Sequence, residues 1–227
     1  MIVYGAILSP FVRKVLMFAA EKGLEIENRP GGMGQGGDAF IEASPFGKMP
    51  AFRHRGAAAD GSDYLLADSS AICAYLDAKY PDNPLIPAEP CARGECIWLD
   101  EFADTILMVT GGKMFFNRIV APYFLGREGD LAAAAAAEAE ELPRLLNWLD
   151  ARLAGRDYFV GLALCLADVS VAVVLGNIKQ AGGEVDAARY PNLARWLGAV
   201  EARPSLSAYN SKMLKIIDKI TGAAVQG

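Results

Sequence analysis

The chain has 227 residues, 53% hydrophobic and 22% charged, and its 22 basic and 27 acidic side chains leave a net charge of −5. This excludes a disordered polypeptide, leaves enough chain for a core without disulfide staples, and counts against nucleic acid as a partner. Four cysteines without paired short spacings (Cys73, Cys91, Cys96, Cys165) and one histidine, His54, cannot complete a zinc shell, so no metal is expected in a reduced, cytoplasmic protein.

The start, MIVYGAILSPFVRKV, has no basic segment ahead of an apolar run, so no signal peptide is expected. Ile2–Tyr4 reads as a short strand. Ser9-Pro10 then opens a helix, serine at the N-cap and proline at the first helical position, with Val12, Val15, Leu16, Ala19 and Ala20 on one face. Gly23 stops it, and Leu24–Arg29 forms a second strand parallel to the first. Pro30–Gly37, PGGMGQGG, lacks the Gly-Lys-Ser/Thr of a phosphate loop and reads as a mobile, irregular segment. Pro50–Arg55 and Tyr64–Ala67 form an antiparallel pair, after which Asp68-Ser69 starts a helix bearing Ile72, Tyr75, Leu76 and Tyr80 on one face.

Residues Pro81–Pro90, PDNPLIPAEP, form a proline-rich linker. Beyond it, helices are expected at about 91–120, 131–154, 166–181, 191–202 and 205–221, with Pro143 kinking the second and Asp168–Leu175 at the centre of a bundle. The most apolar stretch, Leu162–Leu175, is short and carries Asp168, so no membrane span is expected. The domains are therefore residues 1–80, a linker at 81–90, and an all-helical domain at 91–227.

Three short motifs carry chemistry. Ser9-Pro10-Phe11 places a hydroxyl beside the unpaired amides and positive end of a helix, a place that favours an anion. Lys48-Met49-Pro50 heads a strand, where a cis proline would leave the Met49 backbone facing outward to pair with an extended peptide. Asp68-Ser69 offers amides and a hydroxyl to a carboxylate, and an acid to an ammonium. Each also has a plain structural reading: a capped helix, a strand-entry proline, and a second N-cap.

In combination these motifs resemble the glutathione transferase family, a resemblance strengthened by Leu166-Ala167-Asp168, by Tyr190–Trp196 (YPNLARW) and by Arg203-Pro204-Ser205. The resemblance covers essentially the whole chain. It implies an α+β/all-α protein: a thioredoxin-like βαβ-ββα domain that binds glutathione, followed by a helical bundle that contributes the pocket for an electrophile. Ser9 matches the family's thiol-activating serine, and Phe11 follows it in the same motif. Met49, before the expected cis Pro50, matches the residue whose backbone pairs with the cysteinyl portion of glutathione, and Lys48 a lysine near the tripeptide's carboxylates. Asp68 and Ser69 match the pair that grips the γ-glutamyl end. Tyr4 lies inside the first strand and reads as packing. Two features depart from the family pattern: Cys165 replaces the usual Ser or Thr three residues before Asp168, and the glycine-rich stretch replaces residues that often help bind the glycyl end.

The implied activity is transfer of alkyl or aryl groups to glutathione, a co-substrate, by attack on, or thiolytic cleavage of, a small hydrophobic electrophile in a detoxifying, homodimeric enzyme. A serine hydroxyl is too weak a base to take the thiol proton, so Ser9 is expected to donate a hydrogen bond to the sulfur anion, aided by the helix N-terminus and Arg13. Met108, Phe115 and Phe116 are candidates for an electrophile pocket bordered by Phe11. The competing readings are a glutathione-dependent peroxidase, thiol–disulfide exchange (disfavoured without cysteine at position 9) and a non-catalytic glutathione-binding scaffold. Lys212, Lys215 and Lys219 on the last helix read as a solvated face.

Overall fold

The computed structural model describes residues 1–32 and 34–224. Met33, inside the glycine-rich stretch, lies outside the described residues, as do residues 225–227. The chain forms two compact units, Met1–Pro87 and the segment from Ala88 onward.

In the first unit the order is β1 (Ile2–Tyr4), α1 (Pro10–Glu21), β2 (Glu27–Arg29), α2 (Gly37–Ala43), β3 (Ala51–His54), β4 (Tyr64–Ala67) and α3 (Ser69–Lys79). The sheet runs β2-β1-β3-β4; β1 pairs in parallel with β2, and the other two pairings are antiparallel. This is the thioredoxin-like arrangement, with one element more than the sequence pattern suggested. α2 forms where an irregular segment is expected. Its N-cap is Gly36 at φ 95°, with no side chain accepting from the first turn, so no capping residue announces it. What holds α2 is burial: Phe40 and Ala43 join Ile2, Tyr4 and Ala51 in one apolar cluster. At the start of the glycine stretch before it, Gly31 and Gly32 are buried, and a bridge pairs Gly32 with Gln35. β2 is shorter than expected, beginning only at Glu27.

The second unit is helical. α4 (Pro90–Phe102), α5 (Met108–Phe115) and α6 (Ala121–Phe124) run on through π-helical turns at Ala103–Leu107 and Phe116–Val120. α7 (Leu131–Ala136) joins α8 (Leu142–Arg152) through a third π-helical turn, Ala137–Glu141. Two of these turns directly precede a proline at the start of the next helix, Pro122 and Pro143. Each proline lacks the N–H that would close the preceding turn, and the looser π-helical hydrogen bonding accommodates the loss without breaking the rod. α9 (Leu166–Gln180) is the axis of the bundle and is buried continuously from Leu166 to Ile178. α10 (Pro191–Glu201) and α11 (Pro204–Ala224) complete the unit. Lys212, Lys215 and Lys219 lie exposed on α11.

Cys165 at the N-cap of α9 does not abolish the cap. Asp168 carries the interaction: its carboxylate accepts from the backbone N–H of Cys165 at 3.0 Å and of Phe159 at 3.1 Å, and from the Trp196 indole N–H at 2.9 Å. The Cys165 thiol donates to the same carboxylate at 3.3 Å. Among the described residues no helix is long and apolar enough to cross a membrane.

Candidate functional site

The strand register decides which loops share an edge. Tyr4 stands opposite Ala51 and beside Arg29, and Ala51 stands opposite Ala67. The chain therefore leaves β1 toward Ser9, leaves β2 toward the glycine stretch, enters β3 from Met49-Pro50 and leaves β4 into Asp68, all at one end of the sheet. Four segments that are far apart in sequence converge there. Lys14 on α1 donates to the Ser70 hydroxyl on α3 at 3.0 Å, tying together the two helices that begin at this edge.

Ser9 is the N-cap of α1, extended at φ −69° and ψ 124°, and its oxygen accepts from the Val12 amide over a long 3.5 Å. Its hydroxyl hydrogen has no acceptor among the described residues. Pro10 has no N–H, so the half-buried Phe11 supplies the first amide of the helix. Arg13, fully buried, donates to the carbonyls of Ile7 at 2.9 Å and Leu8 at 3.2 Å. It thus braces the loop that carries Ser9, and what it offers the site is a fixed charge. Burial lowers its pKa to about 9, which leaves the guanidinium protonated at neutral pH.

The Met49–Pro50 peptide is cis. Pro50 is buried and Met49 half-buried, and no described residue hydrogen-bonds the Met49 backbone. Lys48 is exposed, and its carbonyl accepts from the Ser44 hydroxyl at 2.7 Å. Asp68 adopts φ +81°, uncommon for a non-glycine residue, and caps α3: one carboxylate oxygen accepts from the amides of Ser70 at 2.9 Å and Ala71 at 3.0 Å. The carboxylate remains exposed, and its second oxygen is not used in the cap. Ser69 is buried beneath it.

The remaining candidates sit on the helical unit. Phe115 is buried in the core of that unit, Met108 is half-buried, and Phe116 is exposed with the Arg127 guanidinium 5.3 Å over its ring. Tyr4 is buried in the sheet cluster, as its strand position suggests. Two surface hollows of about 680 and 650 Å³ lie elsewhere, one by Trp98 and Arg152 and the other by Arg29 and Arg53; neither includes Ser9, Met49 or Asp68. The chemistry-bearing edge brings together backbone amides, a hydroxyl and an acid, groups that can meet the backbone and charged ends of an extended peptide.

Comparison with known proteins follows the same division of the chain. A family model described as glutathione S-transferase, N-terminal domain, matches residues 3–84, and one described as glutathione S-transferase, C-terminal domain, matches residues 115–213. The chain is 32% identical over 209 residues to glutathione S-transferase 3 of Zea mays, covering 89% of each chain. It is 30% identical over 211 residues to a glutathione S-transferase of Hyoscyamus muticus, covering 90% of this chain and 94% of that one. A glutathione transferase structure from Burkholderia graminis, with two glutathione molecules bound per subunit, superposes with a TM-score of 0.76 at 27% identity, covering 92% of this chain and 86% of the other.

Proposed function

The chain belongs to the glutathione S-transferase family, and on that premise we propose that Ser9 activates the thiol of bound glutathione for attack on a small apolar electrophile. The observation that carries this reading is the Ser9 hydroxyl, whose hydrogen is uncommitted at the N-terminus of a helix. An ordinary thiol with a pKa of ~8.5 is only about three per cent ionised at pH 7, and lowering that pKa by two units takes ~2.7 kcal/mol of preference for the thiolate. A donated hydroxyl hydrogen bond, the helix dipole and the buried charge of Arg13 all act in that direction.

The rest of the edge holds the peptide. The Met49 N–H and C=O pair with the cysteinyl backbone, the free oxygen of Asp68 accepts from the γ-glutamyl ammonium, and Ser69 with the opening amides of α3 receives its carboxylate. Phe11 borders the thiol, and Lys48 supplies a mobile positive charge for the tripeptide's carboxylates. The thiol proton leaves to solvent. The thiolate then forms the carbon–sulfur bond while the leaving group departs with its electron pair, gaining chiefly from proximity. On the helical unit, Met108 and Phe116 are accessible to line the electrophile's site, whereas Phe115 is buried. The working form is a homodimer.

Initial rates against a halide, an epoxide and an aryl ether, with a hydroperoxide in parallel, test the reaction class. With the accepted electrophile, Ser9→Ala is expected to lose at least ~10-fold in kcat/KM, as a hydrogen bond to a charged group is worth ~1.5–3 kcal/mol. Turnover of the hydroperoxide alone, or none at all, would contradict the transferase reading.

A further inference from the structure

We propose that Gly5 and Gly32 are positioning residues for glutathione: together they leave a slot that seats the Met49 thioether and so fixes the Met49 backbone. The inference rests on the reading above that this backbone pairs with glutathione. A Cβ added at Gly32 would stand 2.7 Å from Met49 Cε and 3.5 Å from its Sδ. One added at Gly5 would stand 3.1 Å from Met49 Cβ and 2.4 Å from Val12 Cγ2. At Gly5 a Cβ would clash chiefly with Val12 and press on Met49 Cβ, and at Gly32 it would displace the end of the thioether, so the Met49 side chain runs between two segments without side chains of their own. Gly5 is tied to β2 by its N–H donating to Arg29 O at 2.9 Å, and the turn at Gly32 is closed on itself by the Gln35 N–H donating to Gly32 O at 2.9 Å.

The slot matters because little else holds this stretch. Pro45, Phe46, Gly47 and Lys48 are all exposed, and among the described residues the turn is closed by the Gly47 N–H to Ser44 O at 2.8 Å and the Ser44 hydroxyl to Lys48 O. Met49 is the side chain of this stretch that packs against the sheet cluster. Its thioether therefore anchors an exposed loop at the residue that meets the ligand. Gly32 in the glycine-rich segment then serves to seat Met49.

A double-mutant cycle read by calorimetric glutathione binding tests this, with denaturant titration confirming that each variant is folded. Gly32→Ala is expected to raise the glutathione Kd about tenfold in the wild-type background but less than about twofold in Met49→Ala, where the slot is empty. KM for glutathione rises in parallel, while kcat at saturating glutathione stays unchanged. An equal effect of Gly32→Ala in both backgrounds would mean that only the strain of a side chain at φ +79° is being measured, and would overturn the slot. If Gly32→Ala does not fold, Met49→Ala decides alone, since an unchanged Kd overturns the proposal. Absence of glutathione binding by the wild type would instead remove the reading on which the slot depends.

Discussion

In the proposed mechanism the chemistry at Ser9 turns on one hydrogen atom. The oxygen is weakly engaged as a helix cap at 3.5 Å, leaving the O–H to meet an anion. Asp68 divides its duties in a comparable way, with one oxygen capping α3 and the other exposed. Asp68→Asn separates the two roles, because asparagine caps as well as aspartate and tolerates positive φ but carries no charge. Thermal stability is expected to stay within a degree or two, while the glutathione Kd rises ~10-fold or more, the scale of a lost charge-assisted hydrogen bond. A fall in stability without a change in Kd would make Asp68 a cap only. His54, the single histidine, ends β3, with Nδ1 2.9 Å from the Tyr75 hydroxyl of α3 and its ring stacked on Tyr80. Burial depresses its pKa below 6.5, and the amino terminus and Lys79 add to the effect by repelling the imidazolium. A depressed histidine pKa means that the unfolded chain binds the proton more readily. Stability is therefore full above pH 6.5 and falls as the pH drops through the folded-state value. His54→Phe should flatten that slope relative to wild type between pH 7 and 5; parallel curves would show that the imidazole is not responsible. Ser9, Met49, Asp68 and Ser69 stand out in the sequence by residue type and spacing, and the fold brings them to one sheet edge. Arg13 stands out as a nearby charge, but its bonds to the Ile7 and Leu8 carbonyls, like the approach of Gly5 and Gly32 to Met49, depend on which segments the fold makes neighbours.

At the scale of elements, helices with a capping signal or a long apolar face were readable: α1 from Ser9-Pro10, α3 from Asp68-Ser69, and α9 from an apolar run opened by Asp168. α2 was not, because seven residues behind a glycine N-cap carry no such signal and form only when Phe40 and Ala43 find the sheet. The cap of α9 shows where a substitution read from sequence can mislead. Cys165 looks like a lost Ser/Thr cap, yet Asp168 gathers two backbone N–H groups, an indole N–H and the thiol in a buried site. Burial raises the Asp168 pKa and the four donors pull it back, so the carboxylate is indispensable there in a way the thiol is not. Asp168→Ala strands the three N–H donors in the core and should cost at least ~3 kcal/mol in denaturant titrations, at ~1–3 kcal/mol for each buried unsatisfied group. Cys165→Ser should change stability by no more than ~1 kcal/mol, and in the stabilising direction. The reverse ordering would place the cap on residue 165.

For the whole molecule, one end of a four-stranded sheet brings Ser9, Met49 and Asp68 together in the first unit and the second unit is helical, and the two family models match these two parts of the chain separately. The homodimer is checked by light scattering, where about twice the 24.2 kDa chain mass is expected and a monomer would contradict it. The central claim is that this scaffold ionises a bound thiol through Ser9. The most direct test is the ultraviolet thiolate absorbance of bound glutathione as a function of pH, in wild type and in Ser9→Ala. A transition well below the ~8.5 of a free thiol in wild type, returning toward it in the alanine variant, is the expected result. Saturable binding with no shift in the ionisation, or a shift that persists without the serine hydroxyl, would contradict it.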